Sequence, residues 1–316
     1  MDEKGRIVRL SPPEDLRVRN HVVPASYLNF FAIPDLSDEK RTDKNREIYV
    51  YAKSSEDVAG KRVVWRASTA SIPIIRFLTV YDAMTFDYVS GDESEDIVLY
   101  LEADDILERA IGSIEGWAQP IVRSLNVGEH NVRKISADDR QRVAALIASI
   151  FVRCAPFQET WERGRKVINT NAVEGADAEA LLLALAAGSM EYAVAIQAKT
   201  ELAIASGRWE FLTTAGNNRF ITSDNPVLVY PAESDEVLRL PWEKGARIFF
   251  PLRPDLALVI QPNESGALDR VSMKEISSKQ VRTYNYAVAA AATRFIFSGF
   301  MSKSISNWAA TARFYT

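Results

Sequence analysis

The last third of the chain breaks into short segments rich in β-branched and aromatic residues, and no other feature restricts the fold as tightly. RWEFLTT (208–214), NRFITS (218–223), PVLVYP (226–231), ARIFFPL (246–252) and LALVIQ (256–261) are each of strand length and separated by turn residues. Segments this short cannot present a helical stripe, so they predict a sheet. AGNN at 215–218 predicts a hairpin turn between the first two. MKEISSKQVRTYNYAVAAAATRF (273–295) reads as a last helix, followed by a strand-like FIFSGF.

The middle has helical spacing instead. DILERAIGSIEGWAQPIVRSL (105–125) sets Ile106, Ala110, Ile114, Trp117 and Ile121 along one face. A second helix opens at SADDRQRVAALIASIFVRCAP, with Ser136 as N-cap, Asp138 and Asp139 in the first turn and Pro156 at its end. FQETWERGRKVI and the alanine-rich ADAEALLLALAAGSMEYAVAIQAKTELAIAS predict two more. Ahead of them, PASYLNFFAI (24–33) predicts a short helix after Pro24, and REIYVYA (46–52) with RVVWRAS (62–68) a hairpin. VYDAMTFDYV (80–89) fits a strand or a helical piece equally.

The fold expected is therefore α+β: a helical middle (about 98–206) packed on short, mostly antiparallel strands from both ends of the sequence. One domain over 1–316 is expected, with N-terminal strands and a short helix at 20–90 and C-terminal strands and a last helix at 207–316. A chain of 316 residues can build such a core without metal or disulfide support.

Several function classes drop out on residue type. Cys154 is the single cysteine, so neither an internal disulfide nor a cysteine-rich zinc site can form, and no disulfide-linked partner is expected. Only His21 and His130 are present, which excludes a three-histidine metal site within one chain. No GxxxxGK[ST] or GxGxxG occurs, so there is no nucleotide signature, and none for haem. The net charge of −4 argues against a general nucleic-acid binder but allows a local basic groove. MDEKGRIVRLSPPEDLRVRN lacks the apolar core of an export signal, and LLLALAAGSMEYAVAI (181–196) is shorter than the ~20 residues a membrane span needs. A cytoplasmic protein without membrane association is expected.

One polar cluster interrupts the strands. In NRFITSDNPVLVYP (218–231), Thr222, Ser223, Asp224 and Asn225 stand together before Pro226. Asp-Asn-Pro is good turn chemistry, because both side chains bond nearby backbone and Pro226 holds Asn225 extended. The same cluster at a strand end facing a cleft would make Asp224 a base, a metal ligand or an orienter of a histidine. Ser223 lacks the flanking glycines of a nucleophile elbow. A histidine ordinarily changes charge near neutral pH, so His21 reads either as an acid–base group or as a brace at the entry to the first helix. Arg153 follows the apolar LIASIFV, and a guanidinium held there wants a carboxylate or a phosphate. Glu115 is its candidate internal partner. Tyr27 is a supporting residue close to His21 in sequence.

NHVVPASYLNFF resembles the opening of the bacterial domain-of-unknown-function family 4238, a His-Tyr-Val-Pro segment followed by Tyr-Leu and Phe. IEGWAQPIVRSL (114–125), LIASIFVRCAPFQE (146–159), FITSDNPV (220–227) and FPLRPDLAL (250–258) match further segments in order, so the resemblance covers roughly 20–300. Val22 stands where the family usually has Tyr, and Arg-Cys-Ala-Pro replaces its commoner Arg-Thr-Pro. The resemblance marks residues rather than a reaction.

Two readings of function follow. In the first, the protein is a hydrolase acting on a phosphate-bearing substrate, most concretely a nuclease. His21 is the acid/base, Asp224 orients it or holds one divalent metal ion, Arg153 binds the anion, and Ser223 and Asn225 contact substrate. In the second, the protein is a non-catalytic binding or sensing module, and His21, Glu115, Arg153 and Asp224 form a structural polar network.

Overall fold

A computed structural model describes residues 23–34, 46–53, 64–69, 113–114, 116–125, 135–154, 195–230, 240–242, 245–262 and 271–312. His21, Glu115, His130, the 80–89 segment, the helix expected over 157–168 and the first part (176–194) of the one expected over 176–206 lie outside the described residues.

The fold is α+β, with two mostly antiparallel sheets. Pro24 opens α1 (Ala25–Leu28), which tightens into a 3-10 turn at Asn29–Phe31. β1 (Glu47–Ala52) and β2 (Val64–Ser68) form the expected antiparallel hairpin. The middle supplies α2 (116–124), α3 (Ala137–Arg153) and α4 (195–206). Ser136 caps α3, its side chain accepting from the Asp139 amide at 3.0 Å. The apolar face of α2 is shifted from the expected one. Trp117 is 59% exposed, while Ala118, Ile121, Val122 and Leu125 are buried. Helical periodicity alone does not decide which of two adjacent stripes faces the core, and here the smaller side chains fill it.

The remainder of the chain alternates between the sheets. β3 (Arg208–Thr214), β5 (Leu228–Tyr230), β6 (Arg247–Arg253), β7 (Leu256–Gln261) and β8 (Val271–Ile276) form one sheet in the order β5-β6-β7-β3-β8. β4 (Thr222–Ser223) and β9 (Phe295–Ser298) join the N-terminal hairpin in the other, in the order β2-β1-β9-β4. The AGNN turn therefore does not close a hairpin. Gly216 takes a positive φ of 60°, the chain leaves β3, and it crosses to pair with β9. A second correction concerns the last helix: Val271–Ile276 is strand, parallel to β3, and α5 spans Ser278–Ala291 only. The boundary has a local cause. Ser277 and Gln280 form a reciprocal capping box that starts the helix there. A final helix, α6 (Lys303–Thr311), follows β9.

One continuous cluster of buried side chains runs through both sheets and the described helices. Phe249 of β6 stacks on Tyr284 of α5 at 4.4 Å and meets Phe220 edge-on at 5.9 Å. Each such aromatic side chain contributes about 1.5–3 kcal/mol by leaving water, so this contact fixes α5 against the sheet. That placement brings the end of α5 to the Ser223–Asn225 turn.

Candidate functional site

The polar cluster after β4 terminates α5. A helix leaves its last carbonyls without intrahelical partners, and a buried end must find them elsewhere. Here Asn225 Nδ2 donates to the Ala291 carbonyl at 3.1 Å, and Lys53 Nζ donates to those of Ala290 and Ala292 at 2.5 and 2.6 Å. The chain then turns into β9, exposing three amides. Asp224 takes all of them: Oδ1 accepts from Thr293 N at 2.9 Å, and Oδ2 from Arg294 N at 2.7 Å and Phe295 N at 3.1 Å. Ser223 Oγ accepts from the Asn225 amide at 3.2 Å, which holds the turn.

Asp224 is 2% exposed. Burial lifts its pKa from the ordinary 3.8 to about 6, against the opposing pull of the Arg294, Thr293 and Phe295 amides and of Lys53. The C-terminal end of α3 abuts this turn. Cys154 lies close enough to feel the Asp224 charge and receives a hydrogen bond from the Val227 main chain, and burial pushes its thiol up. Arg153 is buried as expected, with Nε donating to the Ser149 carbonyl of its own helix at 2.9 Å. Tyr27 is buried beside β4, close enough to Cys154 to feel its charge. Its hydroxyl donates to the Pro251 carbonyl at 2.6 Å and lies 2.9 Å from Thr222 Oγ1, and burial raises its pKa. Thus Asp224 meets the end of α3, Asn225 the end of α5, and Tyr27 joins β4 to β6. The arrangement is a brace across three elements, with both oxygens of its carboxylate on main-chain amides.

An open cleft of about 500 Å³ is built elsewhere, and its charge is one-sided. Arg46, Arg123, Arg219 and Arg253 line it, with Asp255 as the one carboxylate among the described lining residues. Arg46 stands just before β1, exposed, and its carbonyl accepts from the Thr69 amide at 2.8 Å. Arg123 is in the last turn of α2, its guanidinium 6.0 Å from the ring centre of Phe30. Arg219 follows the Gly216 turn, and its Nη1 donates to the carbonyls of Gly216 and Asn218, both at 2.8 Å. Arg253 ends β6, where Asp255 in the β6–β7 turn holds it at 2.6 Å. Asn29 completes the wall, its Oδ1 accepting from Thr69 Oγ1 at 2.5 Å.

None of these four arginines was singled out by sequence reasoning. A signal was present: REIYVYA, IVRSL, NRFITS and PLRPD each carry one at the boundary of an apolar element. Arginine is ordinary at such surface positions, so convergence is visible only once the elements are assembled. Among the described residues, no group of three or more His, Cys, Asp or Glu side chains is placed to hold a metal ion. No helix among them is long and apolar enough to cross a membrane.

Fold and cleft together define an α+β protein with two sheets and an arginine-lined opening between the 3-10 turn after α1, α2 and the strand ends. The chain belongs to a family of proteins of unknown function, DUF4238, whose model matches residues 19–300. No curated protein and no solved structure gives a match.

Proposed function

We propose that the arginine-lined cleft is the ligand site of this protein and that its ligand carries phosphate. The observation that carries the reading is the convergence of four arginines from four separate segments on one cleft, with a single carboxylate among its described lining residues. Guanidinium presents a rigid fork of donors that matches phosphate oxygens, and a partly enclosed site strengthens each charge-assisted bond. The volume of about 500 Å³ suits a small phosphate ester or a short stretch of nucleic-acid backbone.

The reaction we propose for it is hydrolysis, with a nuclease as its most concrete form. His21 is the acid–base group in this reading, because the segment that follows it runs directly into Asn29 and Phe30 on the cleft wall. The anion-binding role moves from Arg153 to the cleft arginines, and Asp224 supports the fold instead of the chemistry. A non-catalytic binding module is the second reading, favoured by the complete engagement of Asp224 with main-chain amides.

Calorimetric titration with pyrophosphate and with a short oligonucleotide tests the ligand class. Binding by the wild type that is lost in Arg123→Gln/Arg219→Gln supports it, and identical titrations for both proteins sink it. Phosphodiester cleavage that disappears in His21→Ala separates the hydrolase from the binding module.

A further inference from the structure

Arg253 reaches the cleft through an irregularity in the sheet. The β6–β7 register shifts between Pro251, opposite Ala257, and Arg253, opposite Leu256. Leu252 is the extra residue and is fully buried, so the bulge turns Arg253 towards the opening. There its guanidinium is engaged on three nitrogens. Nε donates to Asp255 Oδ1 at 2.6 Å, Nη2 to Asp255 Oδ2 at 3.3 Å and Nη1 to the Val122 carbonyl at 3.3 Å. Arg219 differs: only its Nη1 is engaged, and among the described residues Nε and Nη2 meet no acceptor.

We propose that Asp255 is an internal anion, occupying the donor pair of Arg253 that a ligand phosphate takes, and that ligand binding displaces it. This rests on the phosphate-ligand reading and adds the element that sets its affinity. A carboxylate bridging Nε and Nη2 uses the same two-donor geometry as a phosphate, so the two compete for one position. The competitor has a way out. The Asp255 side chain is 39% exposed, so water can take it up when it leaves, whereas that of Arg253 is 15% exposed and stays in place to meet the incoming anion.

The Asp255 backbone is held independently of its carboxylate. Its carbonyl accepts from the Thr214 amide at 3.3 Å, and the Pro254 carbonyl accepts from the Phe220 amide at 2.7 Å. The side chain can therefore swing away while the turn stays in place. Released, Arg253 joins Arg219, whose two carbonyl contacts both use Nη1.

The test is calorimetric titration of the full chain with pyrophosphate, comparing wild type, Asp255→Asn, Arg253→Gln and the double variant. Asp255→Ser, with melting curves for each protein, guards against a variant that fails to fold. The proposal predicts roughly three- to tenfold tighter binding for Asp255→Asn and Asp255→Ser. It also predicts that the gain vanishes when Arg253→Gln is added. Wild-type binding that is equalled or weakened by both Asp255 substitutions overturns the competitor role and leaves the phosphate reading standing. No binding by any of the proteins overturns both.

Discussion

The carboxylate of Asp224 accepts a 2.7 Å hydrogen bond from the main-chain amide of Arg294, a residue that follows the end of α5 by three positions. With the Thr293 and Phe295 amides on the same group, this contact converts the end of a helix into the start of a strand. Removing it leaves three amides without an acceptor inside the protein. Asp224→Ala is therefore expected to cost about 3–5 kcal/mol of stability, measured by denaturant unfolding. A loss below about 1 kcal/mol would mean that water replaces the carboxylate and that the brace is dispensable.

The same group gives the stability a pH signature. The folded-state pKa of Asp224, about 6, lies above its ordinary 3.8, so the folded chain holds the proton more tightly than the unfolded one between those values. Its stabilising contribution is then complete below about pH 4 and is lost as pH rises through about 6, by roughly 2–3 kcal/mol. Asn does not titrate, so the penalty of Asp224→Asn should shrink as pH rises across this window. Unfolding of both proteins from pH 4 to pH 7 measures it. A penalty that grows with pH would show that the three amides outweigh burial.

Tyr27 links β4 to β6 through its hydroxyl, between the Pro251 carbonyl and Thr222 Oγ1. Tyr27→Phe keeps the ring stacked on Phe250 and removes the hydroxyl's bonds to the carbonyl and to Thr222. The expected loss is about 1–2 kcal/mol in melting or denaturant experiments, with phosphate binding at the cleft unchanged. A large loss of binding with little change in stability would instead give Tyr27 a place in the site.

What could be read from the sequence divides along physical lines. β3 and β7 were legible because Trp209, Phe211 and Leu212, and likewise Leu256, Leu258 and Ile260, mark a buried strand by residue type alone. β8 was not, since VSMKEI is mostly polar and stands against a strong helix. The pairing of β4 with β9 was also hidden, because local turn chemistry at AGNN says nothing about a partner strand so distant in the chain. For the site, the polar cluster at Thr222–Asn225 stood out between apolar strands. Its explanation lay in the orphan groups at the end of α5, which only packing reveals. The cleft arginines carried no local anomaly at all.

The central claim is that phosphate binds between the arginines, and the crystal structure of the protein grown with pyrophosphate tests it most directly. The account predicts the anion in the cleft, within hydrogen-bond distance of Arg219 Nε or Nη2 and of a second lining arginine. A cleft left empty, with the anion bound elsewhere or beside Arg153, would contradict it.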